Sequence, residues 1–424
     1  MKIYLVGGAV RDKLLHIPIK DRDWVITGAT PKMLLNMNFK QVGKDFPVFL
    51  HPYSKEEYSL ARIDRKMGTG YTGFTTFYCR KTTLQEDLIR RDLTINAIAQ
   101  DKDGNYIDFF CGLKDLQNRI FRHISLAFCE DPLRIFRIAR FSSEFNHFGF
   151  QIAQETMKLM INMVKNKELL CLTHDRIWKE TKKALNTCNP HVYFQVLYYC
   201  NALSLVYPEI NIVCQYEFYK IHRYHKNFFI KFNFFFEIAK ISNLNKDIDI
   251  KFAYLCNMIC QFQSKNVRCF LFEIYDEISN KFVKILCKRL CIPSYIKDLS
   301  VIFSSFFKFL NFIHFRSAKD IITFFNKIDA WRKPVRVQKL SILIDLYISS
   351  SQNINIKNSY QGNFLQSAFN IANQVSIKSI LYLGFTGIEI RNELVRLRII
   401  AINKWKKKLN HLKLINAKIN NKGE

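Results

Sequence analysis

Short apolar segments separated by turn residues dominate the first 130 residues of the chain. Segments 2–8 (KIYLVGG), 23–27 (DWVIT) and 56–64 (EEYSLARID) are rich in β-branched and aromatic residues, which predicts strands. Segments 31–38 (PKMLLNMN) and 88–100 (LIRRDLTINAIAQ) have the apolar spacing of helices. We therefore expect a mixed sheet with helices in this part of the chain.

Segment 102–110 (KDGNYIDFF) predicts a turn-bounded hairpin, and segment 65–74 (RKMGTGYTGF), with three glycines in six residues, predicts a flexible loop. Beyond residue 130 the pattern changes to long helical periodicities. Apolar positions three and four apart predict helices over 131–145, 153–170 and 175–186. The predicted fold class is α+β, with a mixed head followed by an all-α remainder.

We predict four parts along the chain: a head over 1–130, a helical neck over 131–200, a helical body over 201–350 and a basic helical tail over 351–424. The segment from Leu394 to Gly423 has nine Lys or Arg and no Asp or Glu. Such a run is either a solvated tail or an extension of a nucleic-acid-binding surface.

The net charge of the chain indicates which class of partner this protein binds. The chain carries 64 Lys and Arg against 36 Asp and Glu, a formal net charge of +28. This excess favours a polyanionic partner, either nucleic acid or an anionic membrane surface. No apolar run approaches the ~18 residues of a membrane span, and no signal peptide is evident. We therefore expect nucleic acid and no membrane.

The twelve cysteines are scattered, without a C-x-x-C pair. The pairs Cys256 with Cys260 and Cys287 with Cys291 have one-turn helical spacing and apolar neighbours. This favours reduced core thiols over ligands or disulfides, and a cytoplasmic location.

Two aspartates near the N-terminus indicate metal chemistry. Alternate strand residues point to one face, so Asp21 and Asp23 in DRDWVI would project side by side. Close like charges destabilise each other unless a cation lies between them. Oxygen ligands suit Mg²⁺, which takes one or two carboxylates together with substrate phosphates. The alternative is a pair of solvated aspartates.

A glycine pair precedes these aspartates. Gly7 and Gly8 end the first predicted strand at a place where a Cβ would obstruct close backbone approach. Their amides, with Arg11 at the start of the next helix, suit a triphosphate. A plain tight turn is the alternative for the glycines alone. The combination with Asp21 and Asp23 favours phosphoryl chemistry.

These residues carry a resemblance. LVGGAVRD and DRDWVI resemble the signature of the nucleotidyltransferase superfamily that includes polymerase-β-like enzymes. RRDLTINAIA and EDPLRIFRIARF are similar to motifs of the class II tRNA nucleotidyltransferases, the CCA-adding enzymes, and of their bacterial poly(A) polymerase relatives. The resemblance runs nearly end to end, through DFPVFLHP, GYTGFTTF, DLQNRI, IDAWRKP and GFTGIEIRNEL. It implies a polymerase-β-like head.

The resemblance implies template-independent addition or repair of the 3′-terminal CCA of tRNA. An RNA 3′-hydroxyl would attack the α-phosphorus of CTP or ATP and release pyrophosphate, with Mg²⁺ on Asp21 and Asp23. The implied partners are the tRNA 3′ end, CTP and ATP, and we expect a monomer or a homodimer. Glu57, on a neighbouring predicted strand, is a candidate third carboxylate or a solvated strand residue.

Arg91, placed on the helix predicted over 88–100, resembles the family's nucleotide-contacting arginine. Asp92 and Asn96 would orient this arginine or the ribose. The alternative is a surface ion pair of Arg91 with Asp92 or Glu86.

Asp131, Arg134, Arg137 and Arg140 recur at spacings of three, which makes a slowly winding row on a helix. The resemblance implies that Asp131 and Arg134 read the base and that Arg137 and Arg140 contact the nucleotide. Cytosine and adenine both offer an exocyclic amine beside a ring-nitrogen acceptor. One carboxylate and one guanidinium therefore suit both bases. The alternative for Asp131, before Pro132, is a helix cap.

One part of the family pattern is missing. The bacterial type has an HD phosphohydrolase motif in its helical body, but this chain has Asn257 and Met258 there. His222 and His225 are too few to complete a metal site. We expect no phosphohydrolase activity. A poly(A) polymerase and a catalytically inactive RNA-binding protein are the two alternative functions.

Overall fold

The computed structural model describes residues 1–42, 48–66, 74–77, 79–215, 233–267, 272–352 and 360–420. Two compact units divide the chain, Met1–Ser242 and Asn243–Glu424. The glycine-rich segment 67–73 and the residues His222 and His225 lie outside the described residues.

The first unit begins with a seven-stranded mixed sheet. Its strands are β1 (Lys2–Val6), β2 (Asp23–Thr27), β3 (Lys40–Val42), β4 (Val48–Leu50), β5 (Glu57–Leu60), β8 (Ala99–Gln100) and β9 (Tyr106–Ile107). They lie in the order β3-β4-β5-β2-β1-β8-β9; β2 and β5 pair in parallel, and the other neighbours pair antiparallel. The strands predicted over 2–8 and 23–27 are confirmed. The strand predicted over 56–64 is divided into β5 and a separate strand that begins at Ile63, and the hairpin predicted over 102–110 begins earlier, because its two strands are β8 and β9. Two further sheets have two strands each, β6 (Ile63–Lys66) with β7 (Phe74–Phe77), and β10 (Ile120–Phe121) with β11 (Gln151–Ile152).

Four short helices cover the two faces of this sheet. They are α1 (Gly8–Leu14), α2 (Pro31–Asn36), α3 (Leu84–Ile89) and α4 (Gly112–Gln117). Alternate strand residues serve opposite faces: Val6 and Val25 pack with α3, whereas Leu5 packs with α1 and Ile26 with α2. Thr83 begins α3 with a capping box.

The helix predicted over 88–100 is wrong beyond Ile89. α3 ends there, and the chain continues through a 3₁₀ turn at Thr94–Asn96 into β8. The Asp92 carboxylate accepts the amide of Leu93 at 2.9 Å, and Leu93 bridges His123. These backbone bonds compete with helix formation, so tertiary context overrides the local pattern.

The first unit continues with the helices α5 (Leu133–Glu144), α6 (Gln154–Lys165), α7 (His174–Leu185), α8 (Pro190–Tyr199) and α9 (Ala202–Val206), and residues 208–215 are helical as well. They confirm the three helices predicted beyond residue 130. Helix α5 buries Ile135, Phe136 and Ile138, and it packs against α7 and α8. The four-part division of the chain stays a prediction.

The second unit is helical in its described residues, and a preceding helix, Asn233–Leu244, contains the boundary between the units. Its helices are Ile248–Val267, Phe272–Arg289, Ser294–Ser305, Phe307–Asn311, Ala318–Lys327, Val335–Gln352, Gln361–Asn373, Ile377–Tyr382 and Gly387–Asn420. The described part of the basic C-terminal run, as far as Asn420, belongs to the last helix and is not wholly solvated. Arg398 is 8% exposed and lies over the Trp331 ring at 3.4 Å.

The described cysteines are all free thiols. Cys256, Cys260 and Cys287 are buried as predicted, and burial raises the pKa of the Cys260 thiol to about 12. The core prediction is wrong for Cys291, which is exposed and lies past the end of the helix Phe272–Arg289. Within the described ranges, no helix is both long and apolar enough to cross a membrane.

Candidate active site

An open cleft of about 1020 Å³ in the first unit gathers the residues that the sequence singles out. Its lining includes every predicted site residue: Gly8, Arg11, Asp21, Asp23, Arg91, Asp131, Arg134, Arg137 and Arg140. Gly7, Glu57, Asp92 and Asn96 line it as well. The fold therefore brings together side chains that are up to 129 residues apart in the sequence, from Arg11 to Arg140.

Gly7 makes the turn between β1 and α1 with a positive φ of 72°. This conformation favours glycine, and a Cβ at this position would lie 2.9 Å from Nη1 of Arg91, so that the guanidinium would have to shift. A Cβ on Gly8 would meet only an ordinary contact, 3.6 Å from Nη2 of Arg11. The close approach at the turn thus depends on Gly7 more than on Gly8.

Arg11 is almost fully buried at the base of the cleft. Its Nη1 donates to Oδ1 of Asn96 at 2.7 Å, and its Nη2 donates to Oδ1 of Asp12 at 2.7 Å. The guanidinium also lies over the Phe145 ring at 4.6 Å. Arg11 therefore joins the head to the end of α5, in addition to facing the cleft.

Asp92 is the centre of a buried hydrogen-bond network. It accepts Nδ2 of Asn96 at 3.0 Å, and its Oδ2 accepts Nε of Arg137 at 2.7 Å. Burial alone would raise the pKa of Asp92, but Arg137 and Asn96 outweigh it and hold the pKa well below its ordinary value. The same ion pair raises the pKa of Arg137. Asp92 thus orients Arg137, and not Arg91.

Arg91 lies two residues past α3, and its predicted helical position is wrong. Its Nη2 donates to Oδ2 of the buried Asp87 at 3.2 Å, and Arg90 binds the other oxygen of that carboxylate. The two arginines hold the pKa of Asp87 below its ordinary value against the effect of burial. The alternative partner Glu86 instead caps α3 through Thr83.

Asp131 precedes α5 and binds two kinds of donor. Its Oδ1 accepts the amide of Leu133 at 3.2 Å, which supports the capping alternative. Arg176 of α7 also binds the carboxylate: its Nη1 donates to Oδ1 at 3.2 Å and its Nη2 donates to Oδ2 at 2.8 Å. In this structure both donors compete with any base for the Asp131 oxygens.

The neighbouring arginines of α5 have structural partners too. Arg134 donates to the backbone carbonyls of Ala127, at 2.6 Å, and of Arg90. Arg140 donates to Glu180 of α7 at 2.6 Å and to Glu144 at 2.8 Å. Helix α7 therefore supplies a partner to both ends of the row from Asp131 to Arg140.

Three carboxylates near the place where β1 ends and β2 and β5 begin have no such partners. Asp21, Asp23 and Glu57 make no side-chain hydrogen bond or ion pair with any described residue. β1 ends where β2 and β5 begin, and the register places Glu57 beside Asp23 on the same face. Asp21 lies two residues before β2, so the prediction that it belongs to the strand is wrong.

The ends of these strands, with their three carboxylates, suit a hard cation. Across the described ranges, no group of three His, Cys, Asp or Glu is arranged to hold a metal by itself. Mg²⁺ needs only one or two carboxylates when substrate phosphates and water supply the other ligands. Asp21 and Asp23 offer such a pair, and their exposure leaves room for a phosphate.

Sequence reasoning missed three residues of this site. Asp87 lies three and four residues before Arg90 and Arg91, a helical spacing that would have signalled the ion pairs. Arg176 and Glu180 carry no local signal, because their partners lie 45 and 40 residues away.

Known proteins resemble this chain over nearly its whole length. It is 56% identical to the CCA-adding enzyme of Buchnera aphidicola subsp. Baizongia pistaciae over 96% of this chain and 98% of that protein. It is 52% identical to the enzyme of the same name from Buchnera aphidicola subsp. Schizaphis graminum, over 96% of this chain and 98% of that one. The chain belongs to the family of CCA-adding enzymes.

Family models and solved structures agree with this membership. The model of the poly(A) polymerase head domain matches residues 3–122, and the model of a probable RNA- and SrmB-binding site of polymerase A matches residues 149–213. A CCA-adding enzyme of Bacillus stearothermophilus, solved with CTP, is 19% identical with a TM-score of 0.60, over 98% of this chain and 94% of that one. The Thermotoga maritima enzyme solved with tRNA is 18% identical, with a TM-score of 0.53 over 94% and 86%. These two likenesses confirm the fold of this CCA-adding family member, a nucleotidyltransferase head with a helical remainder.

The depressed pKa of Asp92 predicts how stability depends on pH. Asp92→Asn removes the charged partner of Arg137 and should cost about 3–5 kcal/mol of unfolding free energy at pH 7. The contribution is fully present above the unfolded pKa of about 4 and is lost as the pH falls through the lower folded pKa. Urea unfolding from pH 7 to pH 3 should therefore show the wild-type advantage shrinking below about pH 4. Exposed Asp103→Asn is the control, and a constant difference across the range would contradict the assignment.

Proposed function

We propose that this protein adds or repairs the 3′-terminal CCA of tRNA, using CTP and ATP. The observation that carries the proposal is the division of charge in the cleft. Buried carboxylates hold two of the arginines, Asp92 binding Arg137 and Glu180 binding Arg140. Asp21, Asp23 and Glu57 line the same cleft without partners among the described residues. Family membership and the CTP complex of a structural neighbour support it.

In the proposed reaction, the tRNA 3′-hydroxyl attacks the α-phosphorus of the bound nucleotide, and pyrophosphate leaves. Asp21 and Asp23 would hold Mg²⁺, which when bound offsets phosphate charge and favours the in-line displacement. Glu57 adds negative charge beside them. The amides after β1, with Arg11 and Arg91, bind the triphosphate.

Base selection would lie at the other side of the cleft. Asp131 accepts the exocyclic amine of cytosine or adenine, and Arg134 donates to the ring nitrogen. Both side chains are engaged here, Asp131 by Arg176 and Arg134 by two backbone carbonyls. A base must therefore share or displace these bonds. Arg137 and Arg140 contact the remainder of the nucleotide.

We infer further that the helical body predicted over 201–350 binds RNA without a phosphohydrolase centre. Asn257 and Met258 replace the two ligands of the HD motif. Asn257 is fully buried, and neither its amide oxygen nor its amide nitrogen has a hydrogen-bond partner among the described residues. Asn257 takes the place of the histidine and Met258 that of the aspartate; an amide is a poor metal ligand, and a thioether suits softer ions than the carboxylate it replaces. The cytoplasmic location and the monomeric or homodimeric state stay predictions.

Asp21→Ala or Asp23→Ala should abolish nucleotide addition and leave tRNA binding nearly intact, because these carboxylates serve the chemistry. The assay supplies tRNA lacking CCA with CTP alone, ATP alone or both, in the presence of Mg²⁺, and resolves the products by single nucleotides. Asp103→Ala, an exposed carboxylate outside the cleft, is the control. Near-normal turnover in either variant contradicts the two-carboxylate assignment.

The same assay separates the alternatives. The proposed enzyme stops after three nucleotides, whereas a poly(A) polymerase extends with ATP well beyond that length. A protein that binds tRNA but adds nothing in any mixture would be the inactive RNA-binding alternative.

Asp131→Ala should relax the discrimination of CTP and ATP against UTP and GTP. The lost amide bond should cost about 1 kcal/mol of stability, and loss of the ion pair with Arg176 adds to that cost. Incorporation of each nucleotide and the melting temperature are measured together, with Glu130→Ala as a neighbouring carboxylate that lines the same cleft. If fidelity survives and only the melting temperature falls, Asp131 is a cap and not a base reader.

A further inference from the structure

The ion pair between Arg176 and Asp131 lies at the side of the cleft where base selection is proposed. Nη1 of Arg176 donates to Oδ1 of Asp131 at 3.2 Å, and Nη2 donates to Oδ2 at 2.8 Å. Two parallel bonds of this kind fix the plane of a carboxylate as well as its position. Only 20% of the Arg176 side chain and 23% of the Asp131 side chain are exposed. The pair therefore holds the carboxylate in one orientation at the cleft wall.

Helix α7 provides a well-packed support for Arg176. The next residue, Ile177, is buried, and α7 packs against α5. One turn further along α7, the hydroxyl of Thr181 lies 2.8 Å from the Tyr193 hydroxyl and 2.6 Å from the Tyr207 hydroxyl. Buried hydrogen bonds thus tie α7 to the helices that follow it. A guanidinium on such a support can orient the side chain that it binds.

Arg176 leaves one acceptor position of Asp131 for a base. A carboxylate has about four lone-pair positions on its two oxygens. Oδ1 of Asp131 already accepts two donors, the Leu133 amide and Nη1 of Arg176. Oδ2 accepts Nη2 of Arg176 and no other donor from the part of the chain that the structure describes. One N–H of an exocyclic amine can therefore bind Oδ2 while Arg176 stays in place.

A carboxylate held in one place also disfavours the other two bases. Cytosine and adenine have an amine donor beside a ring-nitrogen acceptor, whereas uracil and guanine have a carbonyl beside a ring N–H donor. If the carboxylate moved along the base edge to the ring N–H, and Arg134 donated to the carbonyl instead, the same two residues would bind uracil and guanine. Discrimination therefore depends on where Asp131 is held, and not on its presence alone.

We propose that Arg176 is a positioning residue for base selection, which holds Asp131 where it accepts an exocyclic amine and does not reach a ring N–H. The inference rests on the proposed function, in which Asp131 reads the base. Arg176 acts through Asp131, so its loss should change which nucleotide is added more than how fast CTP or ATP is added.

The test replaces the arginine as Arg176→Gln, which can no longer bind both carboxylate oxygens. Values of kcat/KM are measured for CTP and UTP on tRNA lacking CCA, and for ATP and GTP on tRNA that ends in CC. The ratios of UTP to CTP and of GTP to ATP should rise about 10- to 100-fold, because a small misplacement of a positioned group has an effect of that size.

The matched control is Arg122→Gln. It breaks an ion pair with Asp115, whose side chain is only 7% exposed, and neither residue lines the cleft. Its melting temperature should fall at least as far as that of Arg176→Gln, while both nucleotide ratios stay at the wild-type values. A loss of discrimination in both variants would mean that destabilisation alone relaxes the site, which would overturn the proposal.

Two further variants test whether Arg176 acts through Asp131. Arg176→Lys keeps the charge but not the two parallel bonds, so most of the discrimination should stay lost. Adding Arg176→Gln to Asp131→Ala should change the ratios no further than Asp131→Ala alone. Full discrimination in Arg176→Lys, or effects that multiply in the double variant, would overturn the positioning role.

The wild-type protein separates this inference from the proposed function. If it adds C, C and A normally and the ratios of Arg176→Gln match its own, the positioning role alone is refuted. If it adds neither CTP nor ATP to either tRNA, the proposed function is refuted and the positioning role falls with it.

Discussion

The ion pair between Asp92 and Arg137 is the constraint on which the rest of the site depends. Burying a carboxylate costs several kcal/mol unless donors replace water, and Asp92 receives the amide of Leu93, the amide group of Asn96 and the guanidinium of Arg137. Arg137 belongs to α5, while the other donors belong to the head. The bonds that satisfy Asp92 therefore also fix α5 against the sheet.

A second set of contacts also holds α5 against the head. Arg11 binds Asn96 and lies over Phe145, next to the end of α5. Helix α7 then holds both ends of the row on α5, through Arg176 and Glu180. Buried partners thus hold the arginines of the cleft in place, whereas Asp21, Asp23 and Glu57, which have no partner in the part of the chain that the structure describes, remain for the reacting groups. Preorganised charge of this kind is what phosphoryl transfer requires of a protein.

Local patterns predicted much of this arrangement. The strands around Gly7 and Asp23 and the helix that carries Arg137 follow from apolar periodicity and turn residues, which act over a few positions. The same reasoning failed over 88–100, where the Asp92 carboxylate and the pairing of β8 with β1 end the helix. It also missed Arg176, since no periodicity reports a partner 45 residues away. Long-range ion pairs determine the geometry of the site, and no local sequence pattern indicates them.

The central claim is that Asp92 and Arg137 act as one unit. A double-mutant cycle of Asp92→Asn and Arg137→Gln, read as unfolding free energy in urea at pH 7, measures it most directly. The account predicts a coupling energy of about 2 kcal/mol or more, because either single variant already breaks the pair and the second change then costs little. Additive effects, with a coupling energy below about 0.5 kcal/mol, would contradict it.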